Sequence, residues 1–262
     1  MQIDLSGRIA LVTGSTRGIG RVVAEQLLRS GAMVIVCSRT AAAVADTLEQ
    51  LGRLGPVDGM AVDVSNAAAC GELMAFAVRR FGGLDILVNN AVTSVQNRPE
   101  ALSDDDWSLH LDSKLMAYVR LSRLALPHMR LRSGGRIVNV AGMSARQVTD
   151  FRMTNGAVNA AVTNFTKHLS RACGPMGITA NVVHPGYTWT PRLEEGLKRW
   201  AELEGRSVEA ETAARIGEIP IGRFVRPEDI ADLVVFLCSG FAAAVTGQVI
   251  AVDGGSGQAV TY

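Results

Sequence analysis

Seven short apolar runs, at residues 9–13, 33–37, 59–62, 86–88, 136–140, 179–183 and 248–252, recur along the chain with longer stretches of helical period between them. The runs are rich in β-branched residues and apolar at nearly every position, which is the pattern of strands covered on both faces. Residues 21–30, 41–53, 67–80, 104–130 and 156–173 carry the apolar spacing of helices that lie along such a sheet. Parallel strands need long, right-handed crossovers, and successive crossovers cover both faces. The expected class is therefore α/β, a doubly wound parallel sheet flanked by helices. No linker or repeat divides residues 1–262, so a single domain is expected.

With 48% hydrophobic and 19% charged residues, the chain can fill the core that such a sheet requires. Its 26 Lys and Arg against 25 Asp and Glu leave a formal charge of +1, without the basic excess of nucleic-acid or membrane-surface proteins, so neither partner is expected. The four cysteines, Cys37, Cys70, Cys173 and Cys238, form no C-x-x-C pair and read as small buried hydrophobes; no disulfide and no metal site is expected. No basic-then-apolar leader precedes the first run and no apolar stretch approaches ~18 residues, from which a cytoplasmic protein is expected. Residues 192–218 break the rhythm, because polar helix formers fill an interval that one crossover helix would bridge. This insertion reads either as a helical lid over the carboxyl edge of the sheet or as a solvated pair of surface helices.

The first run leads straight into Thr13-Gly14-Ser15-Thr16-Arg17-Gly18-Ile19-Gly20, and a helix follows at once. Glycines at such a turn let the backbone approach a pyrophosphate, while the helix N-terminus offers free N–H groups and a favourable dipole. The glycines alone would be a weak sign; a strand before them and a helix after them supply the setting that mechanism needs. The second run ends at Ser38-Arg39, about 20 residues beyond the loop, where an NAD site places an acid on the ribose 2′-hydroxyl. No acid stands there. Ser38 and Arg39, with Arg17 in the loop, are suited to a 2′-phosphate, so the expected cofactor is NADPH (NADP).

The spacing Gly14-x-x-x-Gly18-x-Gly20 resembles the short-chain dehydrogenase/reductase family, a Rossmann-type fold, and the likeness runs over almost the whole chain. Asp63-Val64 resembles the pair that holds the adenine. Residues 84–91, ending in Asn90-Ala91, resemble the motif of the fourth strand, although Val92 stands where a glycine is usual. Pro185-Gly186, followed by Thr188 and Thr190, resembles the loop that clasps the nicotinamide end. Residues 219–224, 227–231 and 246–255 resemble the family's C-terminal signature. The resemblance implies a homo-oligomer, a tetramer or a dimer, acting on a small-molecule substrate.

Members of this family usually reduce a carbonyl or oxidise an alcohol with an Asn, a Ser and a Tyr-x-x-x-Lys pair. The phenol, of ordinary pKa ~10 and made more acidic by the nearby ammonium, delivers the proton, and the serine binds the oxyanion. By the resemblance of residues 165–170 to the end of the active-site helix, Asn155 stands at the tyrosine and Asn159 at the lysine. Residues 136–140 resemble the strand before the serine, which puts Gly142 there; from 142 to 155 is thirteen residues, the family's interval. Residues 106–113 put Lys114 at the asparagine. Only three tyrosines (Tyr118, Tyr187, Tyr262) and three lysines (Lys114, Lys167, Lys198) occur, and no shift of the helix produces a Tyr-x-x-x-Lys. Asn155 and Asn159 are amides, which hydrogen-bond but exchange no proton near neutral pH. Asn159 can still reach the ribose hydroxyls, and Asn155 a substrate oxygen.

Two readings follow. In the first the chain is an enzyme that adds hydride to the C=C of an α,β-unsaturated (enoyl) thioester, where donors stabilise an enolate and the missing tyrosine matters less. Dienoyl-CoA reductases and the 1-cyclohexenylcarbonyl-CoA reductase type resemble this case. Lys114, Tyr187 and His184 are then candidates for charge or proton supply. Arg146, Arg152 and the arginines of 192–218 are candidates for the phosphates of an acyl-CoA. In the second reading the chain is a catalytically inactive NADP(H)-binding subunit that supports an active partner. The survival of every cofactor motif speaks for the enzyme.

Overall fold

A computed structural model describes residues 2–148 and 151–258; Tyr262 lies outside them. Strands β1 (Ile9–Thr13), β2 (Met33–Ser38), β3 (Val57–Ala61), β4 (Ile86–Asn89), β5 (Gly135–Val140), β6 (Ile178–Pro185) and β7 (Val249–Val252) form one parallel sheet in the order β3-β2-β1-β4-β5-β6-β7. Helices α1 (Gly18–Arg29), α2 (Ala41–Leu51), α3 (Ala67–Phe81), α4 (Asp104–His110), α5 (Ala117–Leu131) and α6 (Met153–Cys173) lie in the crossovers. They are followed by α7 (Pro191–Glu204), α8 (Val208–Gly217) and α9 (Pro227–Cys238).

Side chains alternate across a strand, so each strand feeds two cores. Ala10, Val12, Val34, Val36, Ile86, Val88 and Val138 pack with Val23 and Leu27 of α1 and with Ile230 and Val234 of α9. Ile9, Leu11, Ile35, Leu87, Ile137 and Val182 pack on the other face with residues of α3, α5 and α6, such as Leu73, Leu121 and Val162. This is why the runs are apolar at every position rather than at every second one. The order of the strands reverses between β1 and β4, and at that switch point a crevice opens at the carboxyl ends.

Several predicted boundaries move. The helix expected from residue 21 begins at Gly18, because the glycine loop itself forms the first turn. β3 runs 57–61 rather than 59–62, its pairing with β2 starting at Val34 and Val57. α6 starts at Met153 and β6 continues to Pro185. Residues 227–238, expected only as part of a signature, form α9, with Pro227 in its first turn and the Asp229 carboxylate accepting from Arg226 N at 2.9 Å. The single helix predicted over 104–130 is instead α4 and α5 joined by a π-helical turn, Leu111–Met116. Such a turn inserts a residue and redirects the side chains that follow it, and Lys114 sits within it.

Residues 192–218 lie almost wholly within α7 and α8, a packed pair with well-defined ends. Thr190 Oγ1 accepts from Leu193 N at 3.4 Å, Gly205 ends α7 at φ +62°, and Ser207 Oγ accepts from Ala210 N at 3.1 Å. Leu193 and Leu197 pack with Ile219 and Phe224 into a small core of their own, joined by Tyr187, Trp200 and Ile216. Among the described residues no helix is long and apolar enough to cross a membrane.

Candidate active site

The crevice between β1 and β4 is locked by the residues that flank it. Thr13 Oγ1 accepts from Asn90 N at 2.9 Å and Ala91 N at 3.0 Å, while Asn90 Nδ2 donates to Thr13 O at 3.0 Å and Gly14 O at 3.1 Å. Gly14 has φ +62°, and a Cβ there would stand 2.9 Å from Ala91 Cα; a Cβ on Gly20 would collide with the Asn90 amide. Gly14 is demanded both by conformation and by close approach, and Gly20 by close approach. The N-terminus of α1 has no side-chain cap and no acid in its first turn, so its N–H groups remain available to an anion.

A cleft of about 490 Å³ runs from this loop past Ser38 and Arg39 to Asp63 and Val64, and Thr16, Arg17, Gly18, Ile19, Asn90, Ala91 and Thr190 line it as well. Arg17 and Arg39 are exposed. The Asp63 carboxylate accepts from Ser65 N at 3.0 Å and borders the same cleft. A pyrophosphate site at a helix N-terminus, two arginines beside it and no acid at the end of β2 fit NADPH. Ser15 departs from the expectation. Its hydroxyl donates to Val12 O at 2.7 Å and accepts from Cys37 N at 2.9 Å, and its N–H donates to Cys37 O at 3.1 Å. Ser15 therefore ties β1 to β2 from behind the loop, with its hydroxyl and N–H already engaged.

A second cleft of about 590 Å³ continues from the first, sharing Ile19, Asn90, Val92, Thr190 and Arg192 with it. Pro185, Gly186, Tyr187 and Thr188 form one wall; Thr188 Oγ1 donates to Gly186 O at 3.0 Å and Thr190 Oγ1 to Thr188 O at 3.2 Å, which holds the loop after β6 in shape. Lys114, Gly142, Asn155 and Asn159, the residues expected from the resemblance at the catalytic positions, all line this cleft. Asn159 Nδ2 donates to Ser144 Oγ at 2.9 Å, and Asn155 Nδ2 to Ser94 Oγ at 3.2 Å. The Oδ1 atoms of both amides are buried without a partner, an arrangement in which each can still accept from a ligand hydroxyl. A Cβ on Gly142 would stand 2.9 Å from Asn159 Nδ2, so Gly142 and Asn159 fit one another.

Lys114 is buried, and its Nζ donates to Ala141 O at 3.0 Å, with the Tyr118 ring centroid 5.9 Å away. Burial, with Arg192 adding to it, pushes the amine down to about 7. The amine of this cleft thus stands on the π-helical turn, and α6 presents the amides of Asn155 and Asn159. Tyr118 donates its hydroxyl to Val140 O at 3.0 Å, and burial holds its pKa far above the usual phenol range, which removes it as an acid. His184 does not line the cleft. It is buried behind α6 with Nε2 3.0 Å from Thr163 Oγ1, and burial, then Arg146 and Lys114, pushes it down to about 4. Tyr187 does line it, but edge-on to Trp200 with ring centroids 5.9 Å apart.

Two groups of residues were not singled out by sequence. A buried chain runs from Asn89 Nδ2 to Asn139 Oδ1 at 2.8 Å, then from Asn139 Nδ2 to Thr166 Oγ1 at 2.8 Å, fixing α6 against β4 and β5. Ser94 and Gln96, on the loop after β4, accept from Arg192 at 2.6 Å and Arg199 at 3.1 Å, which joins that loop to α7. Arg152 and the α7 arginines border the cleft as the sequence expected, whereas Arg146 does not. Among the described residues no group of three or more potential metal ligands occurs.

The fold and this crevice define a dinucleotide-dependent oxidoreductase. A family model described as enoyl-(acyl carrier protein) reductase matches residues 14–257, and the chain belongs to the short-chain dehydrogenase/reductase family. It is similar to the 3-oxoacyl-acyl-carrier-protein reductase FabG of Vibrio cholerae, 33% identical over 253 residues, 97% of this chain and 98% of that one. The structure of L-sorbose reductase from Gluconobacter frateurii with NADPH and L-sorbose superposes with a TM-score of 0.92 at 32% identity, covering 99% of this chain and 100% of that one. A single-residue variant of the actinorhodin polyketide ketoreductase, solved with NADPH, gives 0.93 at 33% identity over 96% of this chain and 98% of that one.

Proposed function

We propose that the protein is an NADPH-dependent reductase of an α,β-unsaturated acyl thioester in which Lys114 manages the negative charge that a tyrosine and a serine manage in most of its family. The observation that carries this reading is a buried amine in a cleft where α6 presents only amides. Arg17 and Arg39 hold the 2′-phosphate, the N-terminus of α1 the pyrophosphate, Asp63 and Val64 border the adenine, and Asn159 meets the nicotinamide ribose. Gly186, Thr188 and Thr190 flank the nicotinamide end. Bound there, NADPH supplies the hydride.

The chain's own residues then decide where negative charge can rest. The FabG relative is named for a 3-oxoacyl group and the family model for an enoyl group. Both reactions add hydride at carbon 3 of an acyl chain. In a 3-oxoacyl substrate the electron pair comes to rest on the carbon-3 oxygen, which needs a proton donor close by. Asn155 stands at the position of the family's donor and cannot supply one. In a 2-enoyl substrate the charge collects on the thioester oxygen, which the Lys114 ammonium and the Asn155 amide stabilise by hydrogen bonding. Carbon 2 then takes its proton from solvent or from Lys114, whose amine burial pushes down to about 7. The α7–α8 pair serves as a lid that limits water.

The ketoacyl names of the relatives favour a second reading, in which the Lys114 ammonium is the acid for a 3-oxoacyl thioester. Parallel assays of NADPH consumption with crotonyl-pantetheine and acetoacetyl-pantetheine separate the two. The first reading expects turnover of the crotonyl compound and its loss in Lys114→Ala. Turnover of the acetoacetyl compound alone supports the second, and no turnover of either despite NADPH binding returns the inactive-subunit reading.

A further inference from the structure

The charge in the second cleft is unbalanced. Lys114, Arg152, Arg192 and Arg199 line it against the single carboxylate of Glu195. Other arginines of the α7–α8 pair are arranged differently. Arg206 reaches Glu204 at 3.0 Å, and Arg215 reaches the buried Glu211 at 2.7 Å and Glu218 at 3.4 Å. Among the described residues, Arg152, Arg192 and Arg199 take part in no ion pair. Their contacts are neutral: Arg192 on Ser94, Arg199 on Gln96, and the Arg152 guanidinium 5.4 Å from the Tyr187 ring centroid and 5.2 Å from that of Trp200.

These contacts orient the guanidinium groups without neutralising them, since an aromatic face attracts a cation but leaves its N–H fork free for an oxyanion. Burial, and after it Arg152, Arg17 and Arg199, lower the pKa of Arg192; burial chiefly lowers that of Arg152, with Tyr187 opposing and Arg215 and Arg199 adding to it. An anion among them relieves that repulsion and takes up charge-assisted hydrogen bonds. Arg192 borders both clefts, but Arg152 and Arg199 border only the second, beyond the cofactor.

Resting on the reading of this cleft as the substrate site of a reductase, we propose that Arg152, Arg192 and Arg199 form a subsite for a fixed negative charge on the substrate. Two sources share that chemistry, a carboxylate of the substrate itself and the phosphate of an acyl carrier arm.

The test is calorimetric titration of the NADP⁺-loaded protein with two matched pairs of probes, crotonate against methyl crotonate and phosphopantetheine against pantetheine. In at least one pair the charged member is expected to bind about tenfold or more tightly than its neutral partner. The double variant Arg152→Gln/Arg199→Gln is expected to erase that ratio while its NADP⁺ affinity, read in the same titrations, stays as in the parent and reports an intact fold. A preference for crotonate assigns the charge to the substrate, and a preference for phosphopantetheine assigns it to the carrier arm. Equal binding of charged and neutral probes, no detectable binding of either charged probe, or a preference that survives the double variant overturns the proposal. No reduction is read, so a failure here leaves the reductase reading standing, and a failure of turnover leaves the subsite standing.

Discussion

Replacing Lys114 by Met retains the length and volume of the side chain and removes its charge. Burial holds the amine at about 7 against an ordinary value of 10.5. That fall, at ~1.36 kcal/mol per pH unit, corresponds to about 5 kcal/mol for keeping the protonated side chain in the fold below pH 7. Its sign follows from the proton count. The folded protein gives up this proton near pH 7 and the unfolded chain near 10.5, so between those values unfolding takes up a proton and stability rises with pH. Methionine abolishes this slope but leaves Ala141 O without its donor, a loss of about 1–3 kcal/mol that is the same at every pH. Lys114→Met is therefore expected to be the more stable protein at pH 6.5, with its advantage shrinking by about 3 kcal/mol by pH 9.5. Urea unfolding of both proteins at pH 6.5, 8 and 9.5 reads this directly. A difference that stays constant across that range would refute the burial argument, and with it the role given to this amine.

Other consequences are open to equally simple measurement. Arg39→Asp removes a cation from the proposed 2′-phosphate site and adds an anion, so NADPH affinity is expected to fall about 10–100-fold while NADH affinity changes little; an unchanged NADPH-to-NADH ratio in fluorescence titration contradicts the site. Gly142→Ser sets a side chain against the Asn159 amide and is expected to cost about 1 kcal/mol, less in an Asn159→Ala background; a double-mutant cycle without coupling contradicts the fit between these positions. His110 is buried with both ring nitrogens unpartnered and is pushed down to about 3, chiefly by burial. As pH falls below about 6.5 the unfolded chain gains a proton there that the fold refuses, so stability drops towards pH 3 and His110→Leu is expected to flatten that drop; parallel acid-unfolding curves for the two proteins would contradict it.

The architecture was legible because its physical cause is local. Strands buried on both faces must be apolar throughout, and Val34 to Cys37 or Ile86 to Val88 carry that signature without help from distant residues. The glycine loop was legible for a similar reason, since Gly14 and Gly20 are required by the approach of Ala91 and Asn90. Ser15 was not, because nothing in Gly-Ser-Thr tells a serine facing a phosphate from one turned back to Val12. Singling out Lys114 took only counting, but its environment depended on the π-helical turn, which apolar spacing over 104–130 cannot register. The two populations of arginine around α7 and α8 were equally hidden. Arg199 and Arg215 look alike in sequence, and only folding sets one beside Gln96 in the cleft and the other on Glu211.

The most direct test of the account is the pH dependence of single-turnover NADPH consumption with saturating crotonyl-pantetheine, for the parent protein and for Lys114→Met. If the ammonium of Lys114 stabilises the enolate, the parent rate falls as pH rises through about 7 and the variant is slower by about a hundredfold or more at low pH, with no such inflection. A parent rate indifferent to pH over that range, or a Lys114→Met variant as fast as the parent, would contradict it.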